Sequence, residues 1–160
     1  MTRRLIFSGT REPLSDQDRA TLLTLVQTWA GQVDEIGVGD CRTGVDAQIR
    51  EWLPEASVFA ADWRVGPSAG PQRNARMVLW AADAEDAMLI AMPSRNVVGS
   101  RGRGTRGCVD LAIDAGLVVI VAPTGCRPRM LSEANSEIER LRALAQASIS
   151  AAQRYAMERT

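Results

Sequence analysis

The chain has no histidine and no lysine; all 19 of its basic residues are arginine. Schiff-base chemistry, the lysine of a P-loop and every histidine-dependent triad are thereby excluded. A coding sequence biased towards Arg and Ala accounts for the composition, and the chemical consequence is the same. Any acid or base must come from Asp, Glu, Cys or the single tyrosine, Tyr155. Cysteine is scarce as well. Cys41, Cys108 and Cys126 are odd in number and widely spaced, with no Cys-x-x-Cys, so neither a disulfide framework nor a metal site is expected. The expected set of cofactors is empty, and Mg²⁺ would enter only with a phosphate ligand. No apolar run approaches the roughly 18 residues of a membrane span, and the one after Arg3 and Arg4 is too short for a signal peptide. A soluble, cytoplasmic protein without membrane contact is expected. Acidic residues also number 19, so the formal charge is zero and no general basic field draws nucleic acid.

What is present is an alternation of short apolar runs and helical periods. At 160 residues the chain is expected to form one domain, large enough to bury about 70% of the surface its unfolded chain exposes. Arg4 to Ser8 reads as a buried strand closed by Gly9. Ser15 with Asp18 resembles a capping box, and Leu22, Leu25, Val26 and Trp29 recur at helical spacing. Glu35 to Val38 predicts a second strand, followed by a helix through Ile49 and Trp52 that Pro54 stops. Ser57 to Ala61 predicts the third strand, Asp62 to Pro71 a loop, and Asn74 to Ala82 a helix. The fourth strand is expected at Ala87 to Met92 and the fifth at Leu117 to Ala122. Between them lie a Gly- and Arg-rich loop and a helix from about Thr105 to Ala115 capped by Gly116. Thr124 to Arg129 reads as a turn, and a last helix is expected over about 132–157, with Ile138, Leu141, Leu144 and Ile149 on one stripe. The fold class is therefore α/β, a Rossmann-like three-layer sandwich around a parallel sheet of about five strands, with an extra C-terminal helix.

In such a sheet, ligands bind beyond the carboxyl ends of the strands where strand order reverses. That rule collects four loops: Gly9-Thr10-Arg11, Gly39 to Asp46, Asp62 to Arg73, and Pro93 to Thr105. Glycine lets backbone N–H groups approach a phosphate, helix N-termini add partial positive charge, and arginine adds bidentate bonds. A phosphorylated, nucleotide-like ligand is the economical inference. Within the set several roles stay open. Asp46 accepts a ribose hydroxyl or only favours the first turn of its helix. Trp63 stacks on a base or packs in the core. Cys41 and Cys108, near helix starts, carry lowered thiol pKa values or are small buried hydrophobes. Gly70-Pro71 either opens an anion site with Arg73 or merely punctuates a turn. Gly102-x-Gly104-x-x-Gly107 matches a dinucleotide fingerprint by letter, but it does not follow the first strand, and that reading is rejected.

Several of these residues together resemble one family. Gly9-Thr10-Arg11 looks like a Gly-Ser-Arg signature, and Gly39-x-x-x-x-Gly44-x-Asp46 is similar to a second glycine motif. Ala61-Asp62-Trp63 followed by Ala69-Gly70-Pro71-x-Arg73-Asn74-x-x-Met77 looks close to the most specific signature. Asp86 and Gly104-Thr105 complete the set. The family is the YspA-like branch of the SLOG superfamily, Rossmann-like proteins that include the DprA DNA-processing proteins and the Lonely Guy phosphoribohydrolases. The resemblance spans roughly Leu5 to Ala122. It implies a nucleotide or nucleotide-derivative pocket, a homo-oligomer such as a dimer, and a bacterial or phage setting, without implying one activity.

The ligand-binding set expected on these grounds is Gly9, Thr10, Arg11, Gly39, Gly44, Asp46, Asp62, Trp63, Gly70, Arg73, Asn74, Ser94, Arg95, Gly102, Gly104 and Thr105. Arg73 and Asp46 are the catalytic candidates. Lonely Guy enzymes carry a glutamate for N-glycosidic hydrolysis three residues after the Gly-Thr pair; here that position is Cys108, with Asp110 turned about 200° from it. Pro93-Ser94-Arg95 also lacks their double glycine. Nucleotide binding is thus the first expectation. A phosphoribohydrolase using Asp40, Asp46 or Asp62 is the second. Single-strand nucleic-acid binding through Arg95, Arg101, Arg103 and Arg106 is the third and is not favoured.

Overall fold

Leu5, Ile6 and Phe7 are consecutive and all fully buried, which requires a strand covered on both faces. The computed structural model describes residues 1–95 and 103–131 and places Leu5, Ile6 and Phe7 in β1 (Arg3–Gly9), in the middle of the sheet. The chain continues through α1 (Asp16–Trp29), β2 (Glu35–Gly39), α2 (Gly44–Trp52) and β3 (Ser57–Phe59). Then come α3 (Ala69–Ala82), β4 (Asp86–Met92), α4 (Arg103–Asp114), β5 (Val118–Val121) and β6 (Arg129–Leu131). Strand order is β3-β2-β1-β4-β5-β6, and the pairs β1–β2, β1–β4, β2–β3 and β4–β5 are parallel. The expected α/β, Rossmann-like sandwich is therefore the fold. The chain turns back between β1 and β4, so the switch point lies beyond Gly9 and Met92, which are paired in register.

Alternation along β1 divides the core. Leu5 and Phe7 join Leu22, Leu25 and Val26 of α1 and Val45 and Ile49 of α2 in one cluster. Ile6 points to the side of Trp80 on α3, a neighbour of the missing Cβ of Gly37. Ser15 caps α1 by accepting a bond from the Asp18 N–H at 3.1 Å, as the capping box predicts. Gly116, at φ +81°, ends α4: its N–H reaches the Ile113 carbonyl at 3.0 Å and that of Leu117 reaches Ala112 at 2.9 Å. That is the Schellman pattern, and it needs a residue free to take positive φ.

Several boundaries differ from the sequence reading, and three of them have a local physical reason. The segment expected to be loop up to Pro71 is helical: a 3₁₀ stretch, Trp63–Ser68, broken at Gly66, runs into α3, which opens at Ala69. Pro71 is tolerated because the first-turn N–H groups of a helix have no intrahelical partner to lose. The third strand ends at Phe59 rather than Ala61, because the Ala60 carbonyl and the Ala61 N–H bond to the side chains of Arg76 and Asp40. A sixth strand, Arg129–Leu131, takes up the end of the expected turn; three residues are too few for alternation to show. The chain divides into the units Met1–Met130 and Leu131–Thr160, and the helix expected over 132–157 lies outside the described residues.

Candidate functional site

Burying a polar side chain costs free energy unless it is bonded, so where such groups gather is informative. Among the described residues the buried polar and charged side chains are Ser8, Thr10, Asp18, Asp46, Arg73, Asn74, Ser94 and Thr105. All except Asp18 line one cleft of about 770 Å³. It sits at the β1/β4 switch point, and its volume falls within the ~300–1,000 Å³ of small-molecule sites.

The floor is built by α3. Ala69, Gly70, Arg73, Asn74, Met77, Val78 and Ala81 are buried, a stripe of three- and four-residue steps facing the sheet. Arg73 is therefore an arginine on a core-facing position, 5% exposed, and its charge must be met locally. Its Nη1 lies 3.1 Å from Asp40 Oδ1 and 3.4 Å from Asp46 Oδ2, and its Nε donates to Asn74 Oδ1 at 2.8 Å. Asp40 in turn accepts the Ala61 N–H at 3.0 Å, and Asp46 accepts the Cys41 N–H at 3.2 Å. The ends of β2 and β3, the start of α2 and the second turn of α3 are joined through one guanidinium. Asn74 extends the network by donating to the Gly104 carbonyl at 3.1 Å, which anchors the opening of α4.

Two glycines make this approach possible. A Cβ on Gly39 would stand 1.8 Å from Arg73 Nη1 and 2.3 Å from Asp46 Oδ2. Gly44, at φ +72°, would place one 2.0 Å from the Thr10 carbonyl, which accepts the Val45 N–H at 3.0 Å. Both glycines serve close packing beneath the cleft rather than lining it.

The electrostatics separate the titratable groups. Burial pushes the Asp46 carboxyl above its ordinary value, and this outweighs the opposing pull of Arg73 and the bonds from Cys41. Burial and the Asp46 charge likewise raise the Cys41 thiol, against the bond and charge of Arg73. Cys108, bonded to Ser8, is pushed up to about 11 chiefly by burial. Neither thiol has the lowered pKa that proximity to a helix start left open, so both behave as weakly reactive groups at neutral pH. Asp62 does not reach the cleft; it accepts from the Arg64 N–H and side chain, which holds its carboxyl below the ordinary range.

At the mouth, Trp63 is 51% exposed and lines the cleft, so it is not a core residue. The Arg11 guanidinium lies over its ring, 5.2 Å from the centroid. Among the described residues no carboxylate forms a salt bridge with Arg11 or with Arg103, which also lines the cleft at the start of α4.

Of the expected site residues the cleft gathers Gly9, Thr10, Arg11, Asp46, Trp63, Gly70, Arg73, Asn74, Ser94, Gly104 and Thr105. Gly39, Gly44 and Asp62 stand outside its lining, and so does Arg95, whose N–H bonds to Thr124 Oγ1 at 2.9 Å. Gly102 and Arg101 lie outside the described residues. Arg103, which the sequence reading assigned to a nucleic-acid cluster, is in the cleft. Asp40, expected from sequence only as a substitute carboxylate, instead holds Arg73, and its place directly after Gly39 at a strand end is the sequence signal for it. The Cys108 position that carries glutamate in the resembled hydrolases is buried against Ser8, and Asp110 is exposed away from the cleft lining. Among the described residues no three His, Cys, Asp or Glu side chains gather as metal ligands, and no helix is long and apolar enough to cross a membrane. No protein-family model, curated protein or solved structure matches the chain.

Proposed function

We propose that the protein binds a nucleotide or nucleotide-derived ligand in this cleft. The observation that carries the reading is the convergence of seven buried polar side chains on one cavity at the switch point. Arg11, Arg103 and the first turn of α4 supply positive potential for phosphate; Asp46 and Asn74 supply acceptor and donor groups for sugar hydroxyls. The SLOG-like motifs support the same ligand class, and the assembly that accompanies the reading is a homo-oligomer. Calorimetric titration with nucleoside monophosphates, ADP-ribose derivatives and cyclic nucleotides tests it. Saturable binding weakened by Arg103→Ala is expected, and no heat from any of them removes the proposal.

A second reading, hydrolysis of a nucleoside 5′-monophosphate at its N-glycosidic bond, is favoured by one feature. Asp46 is a cleft carboxylate with a raised pKa, the type of group that activates water or stabilises an oxocarbenium-like centre. Chromatography for free base released from AMP separates the two readings. Release abolished by Asp46→Asn supports an enzyme, and no release at high protein concentration leaves a binding protein.

A further inference from the structure

The cleft mouth carries an arrangement that a static binding site does not need. Arg11 and Trp63 come from opposite sides, the loop after β1 and the stretch before α3, and meet over Gly70. A Cβ on Gly70 would lie 3.5 Å from Arg11 Nη2 and 3.7 Å from Trp63. The guanidinium rests on a ring that is half open to solvent, and no carboxylate among the described residues holds it there. The same ring face is the stacking surface that a base would use, and the same guanidinium is a bidentate phosphate ligand.

We propose that Arg11 and Trp63 form an exchange clamp selective for ligands that carry both a base and a phosphate. The guanidinium covers the indole in the free protein; a nucleotide's base takes that place while the guanidinium turns to its phosphate. This deepens the nucleotide-binding reading and rests on it. A lone nucleoside must displace Arg11 without offering it an anion. A lone sugar phosphate must draw Arg11 off the indole without covering the ring. Only the whole nucleotide satisfies both partners, so recognition of the two ends is coupled.

The experiment is calorimetry on four proteins: wild type, Trp63→Leu, Trp63→Phe and Arg11→Ala. The probes are whichever of AMP, GMP, CMP and UMP the wild type binds best, its nucleoside, and ribose 5-phosphate. The whole nucleotide weakens about 5- to 150-fold in Trp63→Leu and in Arg11→Ala, and Trp63→Phe keeps most of the affinity. The fragments respond oppositely: ribose 5-phosphate binds Trp63→Leu at least as well as wild type, and the nucleoside binds Arg11→Ala at least as well. Weaker ribose 5-phosphate binding by Trp63→Leu makes Trp63 a structural support and overturns the clamp. Weaker nucleoside binding by Arg11→Ala means that Arg11 stays against the base, and overturns it too. Failure of all four nucleotides to bind wild type overturns the clamp, and failure of the ADP-ribose derivatives and cyclic nucleotides as well removes the nucleotide reading itself.

Discussion

Arg73 Nη1 stands 3.4 Å from Asp46 Oδ2, and both side chains are about 95% buried. The arginine that the sequence marks as an anion grip is thus already held by carboxylates, Asp46 within the cleft lining and Asp40 behind it at 3.1 Å. Its work is to place Asp46 and, through Asn74, the start of α4. The proposed phosphate contacts are therefore assigned to Arg11 and Arg103, which form no salt bridge among the described residues.

Removing that guanidinium leaves Asp46 buried without its cation. Arg73→Met is expected to destabilise the fold by about 3–5 kcal/mol at neutral pH in urea unfolding. The Asp46 carboxyl already titrates above its unfolded value because of burial, and loss of Arg73 raises it further. A carboxyl raised in the folded state favours folding at low pH, and that stability declines as pH rises through the folded pKa. The deficit of Arg73→Met therefore shrinks as pH falls from 7 towards the ordinary carboxylate range, and a constant deficit would show that Asp46 is not the group concerned.

Cys41 reports on the same charge. Its thiol is raised by burial and then by Asp46. Asp46→Asn keeps an acceptor for the Cys41 N–H but removes the negative charge, so the thiol pKa falls. Alkylation of Cys41 by iodoacetamide at pH 8 speeds up in that variant, followed by peptide mass spectrometry. An unchanged rate would mean that Asp46 carries no charge in the native protein.

Cys108 provides a stability signature in alkali. Its thiol moves from an ordinary 9.0 to about 11, so the folded state holds the proton that the unfolded state releases. Stability is unaffected below pH 9 and declines as pH rises from 9 through 11, by roughly 2–3 kcal/mol in total. Cys108→Ala should flatten that decline in pH-dependent unfolding, and in native protein at pH 8 the exposed Cys126 should react first with a disulfide reagent.

Glycines at three positions separate packing from propensity. Gly44→Ala combines positive φ with a backbone oxygen 2.0 Å from the new Cβ, and is expected to cost at least about 2 kcal/mol. Gly39→Ala pushes Arg73 and Asp46 apart and should lower both stability and ligand affinity. Gly107→Ala, in the interior of α4 with open space around the new Cβ, should stabilise by roughly 0.5–1 kcal/mol. Thermal melts of the three variants are sufficient to check the order.

The sequence by itself determined the α/β class, five of the six strands and the four described helices, because periods of two and of 3.6 are local properties of the chain. It also marked the strand-end loops where polar residues collect, since a parallel sheet orients every carboxyl end the same way. On α3 the helix was legible only from Asn74 onwards; Ala69 and Gly70 fell in the expected loop and Arg73 was read as an anion grip, so the buried stripe they complete was not. What only the tertiary structure decided is which partner each charged group takes. Arg73 meets Asp40 and Asp46, 33 and 27 residues away, because α3 packs on β2 and the residue after β2 and the first turn of α2 reach its Arg73 at the carboxyl end of the sheet. Among the described residues Arg11 meets Trp63 rather than a carboxylate. Electrostatic pairing depends on distance in space and on exclusion of water, and neither is written in spacing along the chain.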